Sequence, residues 1–260
     1  MTILEKIIES KRTEVRDQKT RTRYRDLEQS IHFCGKTLSL SGSLTAANST
    51  GIIAEFKRMS PSKGIINTVS TVEEVTTGYA GSGAAGLSVL TDPEYFGGSC
   101  RDLTLAKELN SIAVLRKDFI IDEFQVIESK AAGADAVLLI AAVLQRDQFR
   151  QIAVLAKSLG MEVVLEVHSA SEIEMADENV DIIGVNNRDL KTFMVNIDTS
   201  AEMAEKIPGH YVKISESGIS SPETVNLLRQ AGYDGFLIGE LFMGSGDPVG
   251  AFSRFVKEIK

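Results

Sequence analysis

The stretch Ile52–Gly64, "IIAEFKRMSPSKG", opens like a buried strand and closes like a charged loop. Successive side chains of a strand point to opposite faces, so residues two apart share one. Ile53, Glu55 and Lys57 therefore stand in line. A carboxylate and an ammonium in line with a core isoleucine make sense if the strand ends at a pocket. The same design should then recur at the ends of other strands.

Seven more apolar, β-like runs follow: "GLSVLTD", "IAVLRKDF", "AVLLIAA", "EVVLEVH", "IIGVNNR", "YVKISES" and "GFLIGE". Segments such as "DEFQVIESKAAGA", "RDQFRQIAVLAKSLG" and "SPETVNLLRQAGY" separate them. These carry helical periodicity, and several end at the glycine that commonly stops a helix. Strand–helix alternation implies a parallel sheet built from βαβ units. Eight evenly spaced units favour a closed (β/α)8 TIM barrel over an open doubly wound sheet, and about 250 residues is the usual size of such a barrel. The chain has 260. "GSGAAG", Gly81 to Gly86, spells G-x-G-x-x-G but ends a helical segment and precedes a strand. The dinucleotide fingerprint has the opposite order, so this one reads as a helix-to-strand turn.

Ahead of the barrel, "TILEKIIESKRTEVRDQ" has apolar residues at Ile3, Leu4, Ile7, Ile8 and Val15. That is the spacing of an amphipathic helix covering something. A polar stretch follows from about Arg21 to Asn48, with no change of composition after it. The organisation expected is one domain over 1–260, with 1–48 a helical extension and 49–260 the barrel.

The net charge of −8 argues against general nucleic-acid binding, which needs a basic stripe. It leaves room for a small anionic substrate. No apolar run is long enough to span a membrane, and the charged first 30 residues lack a secretory h-region. A cytoplasmic location is expected, and a monomer. Cys34 and Cys100 read as free thiols, and three scattered histidines form no zinc motif.

In a TIM barrel the active site lies at the C-terminal ends of the strands. Phasing each run puts Ala113, Leu115 and Lys117 on one face, then Val164, Glu166 and His168. Ile182, Gly184, Asn186 and Arg188 share a face, as do Val212, Ile214 and Glu216. A single charge at a strand end is ordinarily a solvated terminus, and a lone His168 ordinarily packs. Five strands that start apolar and end polar in phase point to a pocket. Glu55 and Arg188, ending strands one and six on their inward faces, are expected to pair. "SESG" (Ser215–Gly218) and "IGE" (Ile238–Glu240) end strands seven and eight, where barrels often hold phosphate. Ser60 offers a hydroxyl from the first loop.

Together "AEFKRMSPSKG", "LRKDFI", "GADAVLLIAA", "LEVH", "GVNNRDL", "SESGI" and "FLIGE" resemble the indole-3-glycerol phosphate synthase family over essentially the whole chain. The resemblance implies a carboxy-lyase of tryptophan biosynthesis needing no cofactor and no metal. Its substrate would be 1-(2-carboxyphenylamino)-1-deoxyribulose 5-phosphate. It makes Lys117 the general acid, Lys57 the partner of the anthranilate carboxylate and a second candidate proton donor, and Glu166 the base of the dehydration. It places Asn186 and Glu216 around the sugar hydroxyls and makes Glu55 the first-strand catalytic glutamate, held by Arg188. Ser60, Ser217, Gly218, Gly239 and Glu240 match the phosphate site, and Phe96, Leu138 and Leu190 the apolar wall.

The chain departs from the family pattern at Glu240, where a small hydroxyl residue is common, at Gly244, where arginine is common, and at Met59. A carboxylate beside a phosphate repels it unless only the backbone N–H of Glu240 makes the contact. The rivals are another phosphosugar barrel, such as phosphoribosylanthranilate isomerase, and a non-catalytic phosphate-binding barrel. The first wants a cysteine and an aspartate at strand ends. The second needs no lysines and glutamates in phase.

Overall fold

A computed structural model describes residues 1–189 and 192–259. Every one of the eight apolar runs is a strand: β1 (Ile52–Phe56), β2 (Gly86–Leu90), β3 (Ala113–Lys117), β4 (Ala136–Ile140), β5 (Glu162–Val167), β6 (Ile182–Asn186), β7 (Val212–Glu216) and β8 (Gly235–Ile238). All pair in parallel, each with its sequence neighbours, and β1 closes the ring by pairing with β8. This is the (β/α)8 barrel expected.

Parallel strands covered on both faces must be apolar on both. Ile53, Leu115, Leu138, Val164, Ile182, Ile214 and Leu237 fill the interior. The alternate residues, among them Ile52, Phe56, Val114, Leu139, Leu165 and Phe236, pack with the surrounding helices. The inward phase read from the sequence is therefore the observed one. After β5 and β6 the helical elements are short: a 3-10 turn, Ala170–Met175, and a helix of six residues, Asp198–Met203. "GSGAAG" is a turn, with Gly81 ending the helix Val72–Gly81 and Gly83 at φ +96°.

The extension holds three helices: α1 (Ile3–Arg21), α2 (Tyr24–Glu28) and α3 (Leu40–Thr45). Thr2 and Glu5 start α1 with a reciprocal capping box. Its apolar face lies over the mouth of the barrel, where Ile7 joins the interior cluster together with Phe119. A buried ion cluster fastens it. Lys11, 1% exposed, lies 2.8 Å from Asp92 and 3.0 Å from Asp118, just beyond the ends of β2 and β3. Burial opposes the Lys11 charge, but Asp118 and Asp92 outweigh it and raise its pKa. Asp118 also takes Arg116 at 3.1 Å and the Phe119 N–H at 2.8 Å.

The polar stretch 21–48 nevertheless contributes to the core. Leu40 and Leu44 of α3 are buried and plug the opposite mouth. Gly86 and Gly235 open β2 and β8 because a Cβ at either would strike them. Glu162, opening β5, accepts from Ser39 and Ser41 at 2.6 to 2.8 Å. Among the described residues no helix is long and apolar enough to cross a membrane.

Candidate active site

At the C-terminal mouth of the barrel lies a cavity of about 560 Å³. Its wall includes Glu55, Lys57, Ser60, Phe96, Lys117, Leu138, Glu166, Asn186, Arg188, Glu216, Ser217, Gly218, Gly239 and Glu240. All these positions singled out in the sequence therefore meet in one place. Leu190 lies outside the described residues.

Lys117 ends β3 and reaches across the interior. Its Nζ donates to Glu166 Oε2 at 2.6 Å and to Glu216 Oε2 at 2.7 Å. These carboxylates end β5 and β7 and are almost completely buried. Asn186 donates to the other Glu166 oxygen at 3.1 Å. Glu216 Oε1 has no partner; it lies over Gly184, where any Cβ would overlap it. On the other side Lys57 Nζ lies 2.8 Å from Glu55 Oε1, and Ser88 donates to Oε2 at 3.3 Å. A Cβ at Gly239 would come within 2.8 Å of Glu55 Cβ, so the glycine makes room for this pair.

The expected pair of Glu55 with Arg188 is not formed. Glu55 meets the lysine on its own strand face. Arg188 turns to the rim and lies 3.3 Å from Glu240 Oε2. The reach of a long guanidinium toward a carboxylate on another loop is invisible to strand phasing. Lys63 also approaches the Glu240 carboxylate, at 3.5 Å.

Three carboxylates around two ammoniums cannot all keep their charge cheaply in a buried site. Burial, with the charges of Glu166 and Glu55, pushes Glu216 up to about 7 against the pull of Lys117. Burial works against Glu166 too, but Lys117, His168 and the Asn186 hydrogen bond hold it down at about 2. Lys117 is desolvated, yet Glu166, Glu216 and Glu55 raise its pKa above the usual lysine value.

Linkage converts these shifts into stability. Glu216 keeps its proton longer in the folded chain. It therefore costs nothing below the unfolded glutamate value of about 4.3 and destabilises increasingly as pH rises to about 7. Glu166 does the reverse: its contribution is present above that unfolded value and is lost as pH falls toward about 2. Glu216→Gln should thus flatten the decline of chemical-denaturation stability between those two limits for Glu216. An unchanged slope would assign the decline to another group.

The rest of the wall divides in two. Ile3, Leu4 and Ile7 of α1 join Phe96, Phe119, Leu138 and Ile140 in one apolar cluster. The polar rim has Ser60, Lys63, Arg188 and the turn Ser217–Gly218, both at positive φ (+65° and +77°). Asn187 braces that turn, donating to the carbonyls of Glu216 and Ser217 at 3.1 Å each. Phe119, Lys63, Ser88 and Asn187 went unread in the sequence. Phe119 had a signal, being in phase with Lys117 two residues earlier. Among the described residues no His, Cys, Asp and Glu grouping could hold a metal ion. Neither Cys34 nor Cys100 lines the cavity.

Comparison with known proteins agrees. The family model of indole-3-glycerol phosphate synthase matches residues 4–255. The indole-3-glycerol phosphate synthase of Bacteroides thetaiotaomicron is 45% identical over 99% of both chains. That of Polaromonas naphthalenivorans is 41% identical over 98% of this chain and 99% of its own. Among solved structures, a 3-hexulose-6-phosphate synthase superimposes with a TM-score of 0.65 at 14% identity, over 81% of this chain and all of its own. Tryptophan synthase subunit alpha from Legionella pneumophila gives 0.61 at 13% identity, over 84% and 94%. These two show the barrel alone. Matched from end to end by the family model and by close relatives, the chain belongs to the indole-3-glycerol phosphate synthase family.

Proposed function

We propose that this cavity closes the indole ring of 1-(2-carboxyphenylamino)-1-deoxyribulose 5-phosphate, releasing carbon dioxide and water. The observation that carries the reading is Lys117 held between Glu166 and Glu216 beside an apolar wall. The aromatic ring packs against Phe96, Phe119 and Leu138. The phosphate takes the rim of Ser60, Ser217, Gly218 and the backbone at Gly239 and Glu240. Successive residues at positive φ leave main-chain N–H groups available to an anion.

In the first step the ring carbon that bears the carboxylate attacks the ketone carbon, and Lys117 gives a proton to the carbonyl oxygen. Carbon dioxide then leaves the quaternary carbon, and its bonding electrons restore the aromatic ring. In the last step the new hydroxyl departs as water with a second proton, while Glu166 takes a proton from the five-membered ring. Lys57, fixed by Glu55, meets the substrate carboxylate. Glu216 and Asn186 hold Lys117, Glu166 and the sugar hydroxyls in register. Positioned acids and bases of this kind each contribute about 10²–10⁴-fold. Mixing the protein with the substrate should produce indole fluorescence. Its absence with wild-type protein, or its persistence in Glu166→Gln, would refute the reading.

Glu240 competes with the substrate phosphate for Arg188 and Lys63. Glu240→Ser should therefore lower KM about two- to fivefold with kcat unchanged, the worth of a half-exposed ion pair of roughly 0.5–1 kcal/mol. A tenfold rise in KM would mean instead that the carboxylate positions the substrate.

A further inference from the structure

The steps above, on which this inference rests, do not balance in protons within the cavity. Two protons are given out, to the carbonyl oxygen and to the departing hydroxyl. One is taken up, by Glu166. The difference reflects the net change: a carboxylate becomes neutral carbon dioxide, so each turnover consumes one proton from solvent. Glu166 touches Lys117 and can return its proton there. The second proton is drawn from solvent once per turnover, and a route apart from the mouth can supply it while substrate is bound.

One titratable side chain approaches Glu166 without lining the cavity. His168 Nε2 lies 3.5 Å from Glu166 Oε1. Its Nδ1 lies 3.7 Å from Glu172 Oε2, in the 3-10 turn Ala170–Met175. The His168 backbone N–H donates to that same oxygen at 2.6 Å and fixes the carboxylate beside the ring. The His168 side chain is 14% exposed, that of Glu172 24%. Both ring nitrogens are buried without a hydrogen-bond partner. Each faces a carboxylate oxygen just beyond bonding distance, so a small ring rotation completes either bond.

We propose that Glu172 and His168 form the proton inlet of this enzyme, carrying one proton per turnover from solvent to the Glu166–Lys117 pair behind the bound substrate. The transfer is a plain exchange. Imidazolium gives its proton to Glu166 and becomes neutral imidazole, which Glu172 or water beside it recharges. Glu166 passes the proton to Lys117. The charges facing His168 are Glu166 on β5, Glu172 on the turn and Glu216 on β7, with Lys117 beyond Glu166. Burial disfavours the imidazolium, but the adjacent Glu172 carboxylate, with Glu166 and Glu216, overcomes it and raises the pKa of His168. The ring thus stays charged at a pH where free imidazole has begun to lose its proton.

The test is steady-state turnover of the full-length protein carrying His168→Gln, with Glu172→Gln as a second, more exposed site. His168→Gln should lower kcat about tenfold, less than the loss of a direct acid or base. KM should stay unchanged, because His168 does not touch substrate. The solvent deuterium isotope effect on kcat should rise, and imidazole in the buffer should restore turnover to the variant without stimulating wild type. Glu172→Gln should move kcat and the isotope effect in the same direction. A residue that merely packs would show neither the isotope change nor the rescue. An active wild type with both variants unimpaired, or impaired without imidazole rescue, overturns the inlet alone. A wild-type chain that does not turn over the substrate overturns the reading of the cavity, and the inlet with it.

Discussion

Lys117→Met should lower kcat by at least about 10²-fold, the loss expected when a positioned acid is removed. Methionine keeps much of the length and apolar stem, so the chain above the barrel core stays filled. It removes the ammonium that neutralises two buried carboxylates 2.6 and 2.7 Å away. Glu166 and Glu216 must then keep a proton between them, and Glu166 loses the main attraction that holds it ionised. The variant therefore forfeits acid and base together. Lys117→Arg should rescue little, because a guanidinium keeps the charge but does not surrender a proton. The check is the rate of indole fluorescence, with far-ultraviolet circular dichroism confirming the fold. Turnover within threefold of wild type in a folded Lys117→Met protein would remove Lys117 from the chemistry.

Lys11→Met should cost about 3–5 kcal/mol of stability, the usual effect of breaking a buried ion cluster at one partner. Lys11 is 1% exposed and serves Asp92, Asp118 and Glu14 at once. Asp118 would retain Arg116, whereas Asp92 would lose its ammonium partner in a buried place. Adding Asp92→Asn should therefore recover part of the loss, giving strong non-additivity. Urea denaturation at constant slope measures it. A change under 1 kcal/mol would mean that α1 is held by its apolar face alone. Activity should fall as well, because α1 brings Ile3, Leu4 and Ile7 to the cavity wall.

The barrel was legible because strand physics writes itself into the chain. Both faces of a parallel barrel strand are buried, so eight apolar runs stand out. The change to a charge at an inward position marks where each strand leaves the core. That phase placed Glu55, Lys57, Lys117, Glu166, Asn186 and Glu216 correctly, and it contained Phe119 as well. What phase does not encode is which charges meet across the ring. Glu55 found Lys57, two residues away, and Arg188 found Glu240. The plug helix α3 was hidden for a different reason. Only Leu40 and Leu44, four apart among serines, carry its burial. Its counterpart signal lies elsewhere in the chain, in the glycines that open β2 and β8.

Lys117 and Lys57 both stand in the cavity as candidate proton donors, and the proposed mechanism gives the carbonyl proton to Lys117. Lys117 is shared by two carboxylates, on β5 and β7, while Lys57 is bound to one. A crystal structure with a substrate whose ketone has been reduced to a hydroxyl tests this most directly, because that oxygen marks the carbonyl under attack. Lys117 Nζ should lie within hydrogen-bond distance of it, about 2.7–3.2 Å, with the phosphate on the Ser217–Gly218 turn and the ring against Phe96 and Leu138. That hydroxyl bonded to Lys57 instead, or the phosphate seated away from the turn, would contradict it.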